Sequence, residues 1–307
     1  MSFNHVTVLL NETVDNINVK KGGIYADFTL GGGGHTSLIL DRGGIVVGID
    51  RDITAIENAR KRFRGQSFTA VHDNFSNIKD IAKRLDIEGF DAIVADLGVS
   101  SPQLDDAQRG FSYMQDAPLD MRMNREDTLT AKEVVNTYSS QELFRVISSY
   151  GEERWASRIV DFIIKYRAKK SIETTFELVD IIKAAIPLGA RKDGPHPAKR
   201  TFQGIRIEVN GELKILDKAV RDGVELLKKG GRMGVITFHS LEDRIVKSAF
   251  SDLEKGCTCP KDFPVCVCGN KPQIKNVTRK PIIPTDEELN ANPRARSSKL
   301  RVVEKII

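Results

Sequence analysis

One pattern, repeated four times between residues 24 and 97, constrains this chain more than anything else in it. A short apolar run ends at or near an aspartate and is followed by apolar residues at helical spacing. Ile24-Tyr25-Ala26-Asp27-Phe28 leads through glycines to the stretch Thr36 to Leu40. Ile45-Val46-Val47-Gly48-Ile49-Asp50 leads to Ile53 to Phe63, and Phe68 to Val71 leads through Asp73-Asn74-Phe75-Ser76 to Ile78 to Leu85. Phe90 to Leu97 closes the series, with Asp96 near its end. Short apolar runs without polar alternation belong to strands buried on both faces. Strands alternating with helices therefore predict an α/β fold built on a parallel sheet with helices on both sides.

After Gly98 the alternation stops. Ser100 to Asn124 has no clean period and is predicted to be a long loop at the carboxyl end of a strand, whereas Ser139 to Ile186 is helical in pattern, with Trp155, Ile159, Phe162, Ile163 and Tyr166 on one face. Residues 105–198 are therefore expected to form an inserted all-helical subdomain, with 1–104 and 199–307 making one discontinuous domain. Gly211 to Leu227 repeats apolar residues at helical spacing, Lys228-Lys229-Gly230-Gly231 ends it, and Arg232 to Phe238 is predicted as a fifth strand.

In an open α/β sheet ligands bind beyond the carboxyl ends of the strands, where connections diverge. The Gly31 to Gly34 turn stands there, and glycine lets a backbone approach a ligand closely. A dinucleotide fingerprint would need another glycine or alanine at Thr36 or Ser37, and a Walker A loop would need a Lys-Ser or Lys-Thr after the glycines. Neither is present. A nucleoside ligand without a pyrophosphate remains, with Asp50 placed to accept hydrogen bonds from a ribose, a geometry that suits S-adenosylmethionine. The alternative is that the glycines only make a tight turn and Asp50 caps the following helix. Asp27, Asp50, Asp73 and Asp96 all fall at or just past strand ends, which favours the ligand.

The 307 residues carry 40% apolar and 29% charged side chains, ordinary values for a globular protein. Met1 to Asn16 contain Glu12 and Asp15 but no Lys or Arg, and no apolar stretch reaches the length of a spanning helix, so a cytoplasmic protein is expected. The net charge of +5 resides in residues 271–307, which hold nine Lys or Arg against four Asp or Glu. Such a segment attracts a polyanion. Basic groups at Lys165, Arg167, Lys169 and Lys170, at Arg191 and Lys192, at Lys199 and Arg200, and from Arg294 to Arg301 are candidates for RNA phosphates or are solvated faces.

Six stretches carry a resemblance: Asp96-Leu97-Gly98-Val99-Ser100-Ser101-Pro102-Gln103-Leu104-Asp105, Pro118-Leu119-Asp120-Met121-Arg122-Met123, Gly151-Glu152-Glu153-Arg154, His196-Pro197-Ala198-Lys199-Arg200-Thr201-Phe202-Gln203, Phe238-His239-Ser240-Leu241-Glu242-Asp243-Arg244 and Asn292-Pro293-Arg294-Ala295-Arg296-Ser297-Ser298. In this order they resemble the ribosomal RNA small subunit methyltransferase H family over nearly the whole chain. The resemblance implies a Rossmann-like class I methyltransferase sheet with an inserted helical domain for substrate recognition. It also implies methyl transfer from S-adenosyl-L-methionine to N4 of a cytidine in the decoding region of 16S rRNA. Its cofactor residues correspond to Gly33, Gly34, His35, Asp50, Phe75, Asp96 and Gln103. The partner it implies is small-subunit rRNA, free or in a 30S particle; no membrane partner is expected, and a homodimer is compatible with the chain. A non-catalytic RNA-binding or ribosome-assembly protein on a methyltransferase scaffold is the competing function.

N4 methylation requires positioning above all, together with an acceptor that localises the amine lone pair. Asp96, Ser100 and Ser101 are the catalytic candidates, with His239 behind them or simply a structural histidine. Phe75 can flank an adenine or pack in the core. The four cysteines, Cys257, Cys259, Cys266 and Cys268, form two Cys-x-Cys pairs, tighter than common zinc ribbons. They are either ligands of a structural zinc or reduced loop thiols.

Overall fold

The computed structural model describes residues 7–192, 194–257, 259–260, 263–265 and 267–307. Two compact units divide the chain, one of residues 1–98 with 213–307 and one of residues 99–212. The expected boundaries, after 104 and after 198, shift outward on both sides, and the helix Lys199–Asn210 belongs to the second unit. Packing decides this: Phe202, Ile205 and Val209 on that helix share the second unit's core with Val146, Ile147 and Ile159.

The first unit is built on a seven-stranded sheet. Its strands are β1 (Ile24–Asp27), β2 (Ile45–Asp50), β3 (Phe68–His72), β4 (Phe90–Asp96), β5 (Leu227–Thr237), β6 (Ile274–Asn276) and β7 (Lys299–Lys305), arranged β3-β2-β1-β4-β5-β7-β6. The first five run parallel, whereas β7 pairs antiparallel with both β5 and β6, so the sheet is mixed rather than parallel throughout. The C-terminal strand escaped the sequence pattern because it does not belong to a βα repeat. Its buried Leu300, Val302 and Val303 are separated by Arg301 and followed by charged residues.

β5 also begins earlier than expected, at Leu227 opposite Phe90, and the ladder shifts register before resuming at Arg232 opposite Ala92. Gly230 (φ +77°) and Gly231, which has the Phe90 and Asp91 carbonyls against its backbone, form this irregularity. The glycines thus re-aim a strand instead of separating it from a helix.

Helices flank the sheet: α1 (Leu10–Asn16), α2 (Gly34–Asp41), α3 (Ile53–Arg62) and α4 (Ile78–Arg84) before the insertion. On one face Phe28, Ile49, Ile93, Val235, Val224 and Val246 pack in one cluster, and on the other Tyr25, Ile39, Val46 and Val94 pack with Val14 and Ile17. Alternate residues of each strand supply opposite clusters, which is why the runs read as continuously apolar.

The second unit contains α5 (Ser101–Asp105), α6 (Ala131–Thr137), α7 (Ser140–Arg145), α8 (Ala156–Arg167), α9 (Thr175–Ala185) and α10 (Lys199–Asn210). The segment expected to be a long loop thus carries a short helix at its start. Three helices begin with a reciprocal cap in which a Ser or Thr and the Glu three residues on bond each other's backbone N–H: Thr130 with Glu133, Ser139 with Glu142 and Thr174 with Glu177.

Gly151 and Gly204 let α10 cross the π-turn Val146–Tyr150 closely. A Cβ on Gly151 would lie 2.6 Å from the Arg200 carbonyl oxygen, and one on Gly204 2.8 Å from that of Val146. Gln203 fastens the crossing by donating to the Tyr150 carbonyl at 3.0 Å. The chain then re-enters the first unit through α11 (Glu212–Leu226), followed after β5 by α12 (Ser240–Lys255) and later by α13 (Asp286–Ala291). Among the described residues no helix is long and apolar enough to cross a membrane.

Candidate active site

The chain adds β2 and β3 on one side of β1 and β4 and β5 on the other, so its direction reverses between β1 and β4. That is the switch point at which open α/β sheets bind ligands. Asp27, the last residue of β1, pairs with Gly48 on one side and Val94 on the other. Asp50 and Asp96 each lie two residues beyond those partners, so three aspartates end three adjacent parallel strands.

All three are acids whose ionisation is opposed. Asp27 is 1% exposed, and burial raises its pKa to about 6 against the stabilising bonds it accepts from the Thr36 hydroxyl (2.7 Å) and the Thr29 N–H (3.2 Å). Thr36 stands at a position where a dinucleotide fingerprint would have its third glycine. Its hydroxyl serves the acid cluster instead.

Burial also raises the pKa of Asp50, although its Oδ2 accepts the Gly31 N–H at 2.8 Å and its Oδ1 the Asp52 N–H at 2.9 Å. Asp50 therefore ties the glycine turn to β2. The helix cap is Asp52, which accepts the Thr54 N–H at 3.0 Å.

Asp96 is raised well above the usual carboxylate range, first by burial and then by the charges of Asp27 and Glu242. Its Oδ1 is enclosed and makes no hydrogen bond among the described residues.

The glycine turn is held from several sides. The Gly33 N–H donates to the Leu30 carbonyl at 2.7 Å and the Arg62 guanidinium to the Gly32 carbonyl at 2.6 Å. Gly33, at φ +73°, is the N-cap of α2, and a Cβ there would lie 2.8 Å from the Phe63 ring. A Cβ on Gly34 would collide with the Thr7 hydroxyl. His35 is buried in the first turn of the same helix. Phe75 opens a short 3₁₀ turn after β3 and stacks on the buried Phe28, centroids 5.7 Å apart and planes at 9°. One of its faces is thereby committed to the core.

Asp73 departs from the other three aspartates. It accepts the Asn74 N–H and the Asn77 side-chain amide and pairs with Arg84 at 2.7 Å, and despite burial these bonds hold its pKa below the usual value. It caps a turn, so the strand-end set has three members.

Ser100, Ser101 and Gln103 lie in the second unit, at the start of α5, where the Gln103 Oε1 accepts the Ser100 N–H at 3.1 Å. His239 is the N-cap of α12, its Nδ1 accepting the Glu242 N–H at 3.4 Å, which assigns it a structural part. Glu242, overlooked in the sequence, is 2% exposed and accepts the Phe238 N–H at 2.8 Å while adding to the charge around Asp96. The cap opposite it is a histidine in place of the usual Ser or Thr, so the ordinary capping pattern does not single out this glutamate.

Several basic candidates are likewise spent within the fold. Arg167 donates to the Val135 and Tyr138 carbonyls, Arg200 to the Glu152 carbonyl, and Arg301 pairs with Asp243 at 2.8 Å. Lys165, Lys169, Lys192, Lys199, Arg294 and Arg296 face solvent.

A parallel sheet reversing at β1, a glycine turn opening α2 and acids ending β1, β2 and β4 define the Rossmann-like methyltransferase class. Asp27, which is buried, and Asp50 and Asp96, which are half-buried, gather acidic groups that disfavour a pyrophosphate and suit a ligand that carries positive charge, as S-adenosylmethionine does through its sulfonium and ammonium groups.

The MraW methylase family model matches residues 2–306. Two curated relatives from Clostridium botulinum, strains Kyoto and Loch Maree, each named ribosomal RNA small subunit methyltransferase H, are 56% identical over the full length of both chains. A solved structure of a proposed rRNA methylase from Clostridium thermocellum matches at TM-score 0.45 and 13% identity, covering 98% of this chain and 99% of that one. The fold class rests on this chain's own sheet order. The chain belongs to the MraW methylase family, and it is an S-adenosylmethionine-dependent methyltransferase.

Proposed function

We propose that this enzyme methylates N4 of one cytidine in the decoding region of 16S rRNA, in the cytoplasm, on small-subunit rRNA or a 30S particle. The observation that carries the reading is the acid cluster at the switch point, where Asp96 ends β4 with its Oδ1 enclosed and without a hydrogen bond among the described residues, its pKa raised by burial and by the charges of Asp27 and Glu242. Support for the RNA comes from the full-length likeness to relatives named for that substrate and from the solvent-facing basic groups.

In this reading Gly33, Gly34 and His35 form the turn against which the donor lies. Asp50 uses its remaining lone pairs for the ribose, Phe75 offers its outer face to the adenine, and Gln103 contributes a polar contact. When bound, the donor supplies an electrophilic methyl group on sulfur. The ionised Asp96 accepts a hydrogen bond from the exocyclic amine, which localises the nitrogen lone pair, and takes that proton once the N–C bond has formed. A carboxylate of raised pKa is a stronger base, so the burial that disfavours its charge suits it to this task. Ser100 and Ser101 are candidates for orienting the same amine. The helical unit supplies substrate recognition.

The test is mass spectrometry of rRNA from a strain lacking the gene and from the same strain complemented. Disappearance of one N4-methylated cytidine, restored on complementation, is expected; an unchanged set of modified nucleotides would refute the substrate. Calorimetry with S-adenosylmethionine separates the enzyme from an RNA-binding scaffold, which would take up no donor.

A further inference from the structure

Between α12 and β6 the chain makes a long connection with no regular element among its described residues, a length at which a loop usually has something to organise it. Its two ends are pinned. Gly256 (φ +68°) turns against the Lys271 backbone so closely that a Cβ would collide with it, and the Gln273 N–H donates to the Leu253 carbonyl at 2.9 Å. Apolar burial does not organise the interior, since Phe263, Val265 and Val267 are 52%, 70% and 72% exposed.

What gathers at the base of this loop is sulfur. The Sγ atoms of Cys257, Cys259 and Cys268 all lie within 4.8 Å of one another, and those of Cys257 and Cys268 are 3.8 Å apart. A tetrahedral ion with zinc–sulfur bonds of ~2.3 Å has sulfurs about 3.8 Å apart along each edge. The Val267 N–H donates to the Cys259 Sγ at 3.3 Å, the type of backbone bond that stabilises a thiolate and orients a ligand. Cys-x-Cys spacing alone is too tight for a common zinc ribbon. Here the loop's return brings Cys268 across to Cys257, so the set is assembled from both limbs. Cys266 lies outside the described residues.

We propose that Cys257, Cys259 and Cys268 bind one zinc ion as thiolates, stapling the loop between α12 and β6. Thiolates select zinc over magnesium or calcium, which prefer oxygen.

Elemental analysis of full-length protein, purified without chelator from zinc-supplemented culture, should find about one equivalent of zinc per chain. Cys257→Ser and Cys268→Ser should each reduce it below a tenth of an equivalent. Zinc-edge X-ray absorption on the unmodified protein should show a shell of at least three sulfurs at about 2.3 Å, a readout that does not depend on the variants folding. Less than a tenth of an equivalent in the unmodified protein after exposure to excess zinc and desalting would overturn the proposal. So would full zinc retention in Cys257→Ser, or a shell of nitrogen and oxygen alone.

Discussion

The two units partner their enclosed acids differently, with guanidinium groups in one and with hydroxyls and backbone amides in the other. In the helical unit Glu208, 7% exposed, accepts a hydrogen bond from Tyr138 Oη at 3.1 Å and pairs with Arg145 at 2.8 Å. Asp120 is clasped by Arg122 through both carboxylate oxygens, and its pKa is held below the usual value even though burial pushes upward. Among the described residues of the sheet unit, Asp27 and Asp50 receive only hydroxyls and backbone amides, Asp96 Oδ1 has no hydrogen bond, and all three are pushed upward. A buried charge is expensive unless paired. Where a fold sets Asp27, Asp50 and Asp96 side by side with no arginine pairing them among the described residues, stability has been given up for a ligand that brings its own positive charge.

The comparison breaks most visibly at Asp96. Asp96→Asn should retain the fold and bind S-adenosylmethionine more weakly, because one of the three acids gathered for its positive charge is neutralised, while methyl transfer at saturating donor falls by ~10² or more, as for loss of a general base. Single-turnover methylation alongside calorimetry measures both. Full activity with normal binding would remove Asp96 from the chemistry.

The next effect is on stability and depends on pH. Asp27 has a folded pKa of about 6 against an ordinary value of 3.8, so the native state holds its proton more tightly than the unfolded chain. Its stabilising contribution is therefore present below pH ~4 and is lost as the pH rises to ~6, a change of up to ~3 kcal/mol. Asp27→Asn does not titrate. Without ligand, the Tm of the variant minus that of the parent should rise between pH 4 and pH 7, and a flat difference would show that Asp27 does not carry an unfavourable charge.

The smallest effect belongs to the helical unit. Arg145→Met leaves Glu208 buried with Tyr138 alone, at a cost of about 1–2 kcal/mol because Arg145 is itself partly exposed. Hydrogen exchange should show the loss in residues 131–210 while S-adenosylmethionine affinity stays unchanged. A change in donor affinity would mean that the two sets of acids are not independent.

Much of the sheet could be read in advance. The runs ending at Asp27, Asp50 and Asp96 became β1, β2 and β4 almost residue for residue, because a strand buried on both faces leaves a continuous apolar trace. The helix caps at Thr130, Ser139 and Thr174 are local too, each complete within four residues. Asp73 shows where such reading stops. In the sequence it matches the other strand-end acids, and only the arrival of Arg84 and Asn77 makes it a stabilised surface carboxylate. Phe75 is similar, since Phe28, which commits one of its faces, is far away in sequence.

Alternation and spacing in this sequence determined the strand-helix repeat, the glycine turn and which acids end which strands, because each depends on neighbours a few residues apart. Tertiary structure decided the rest: the antiparallel return of β7 beside β5, the assignment of α10 to the helical unit, the burial of Glu242 near Asp96 and the meeting of Cys268 with Cys257. Each of these joins segments distant along the chain, and the energy of such contacts, unlike that of a cap or a periodic face, leaves no local trace in the order of residues.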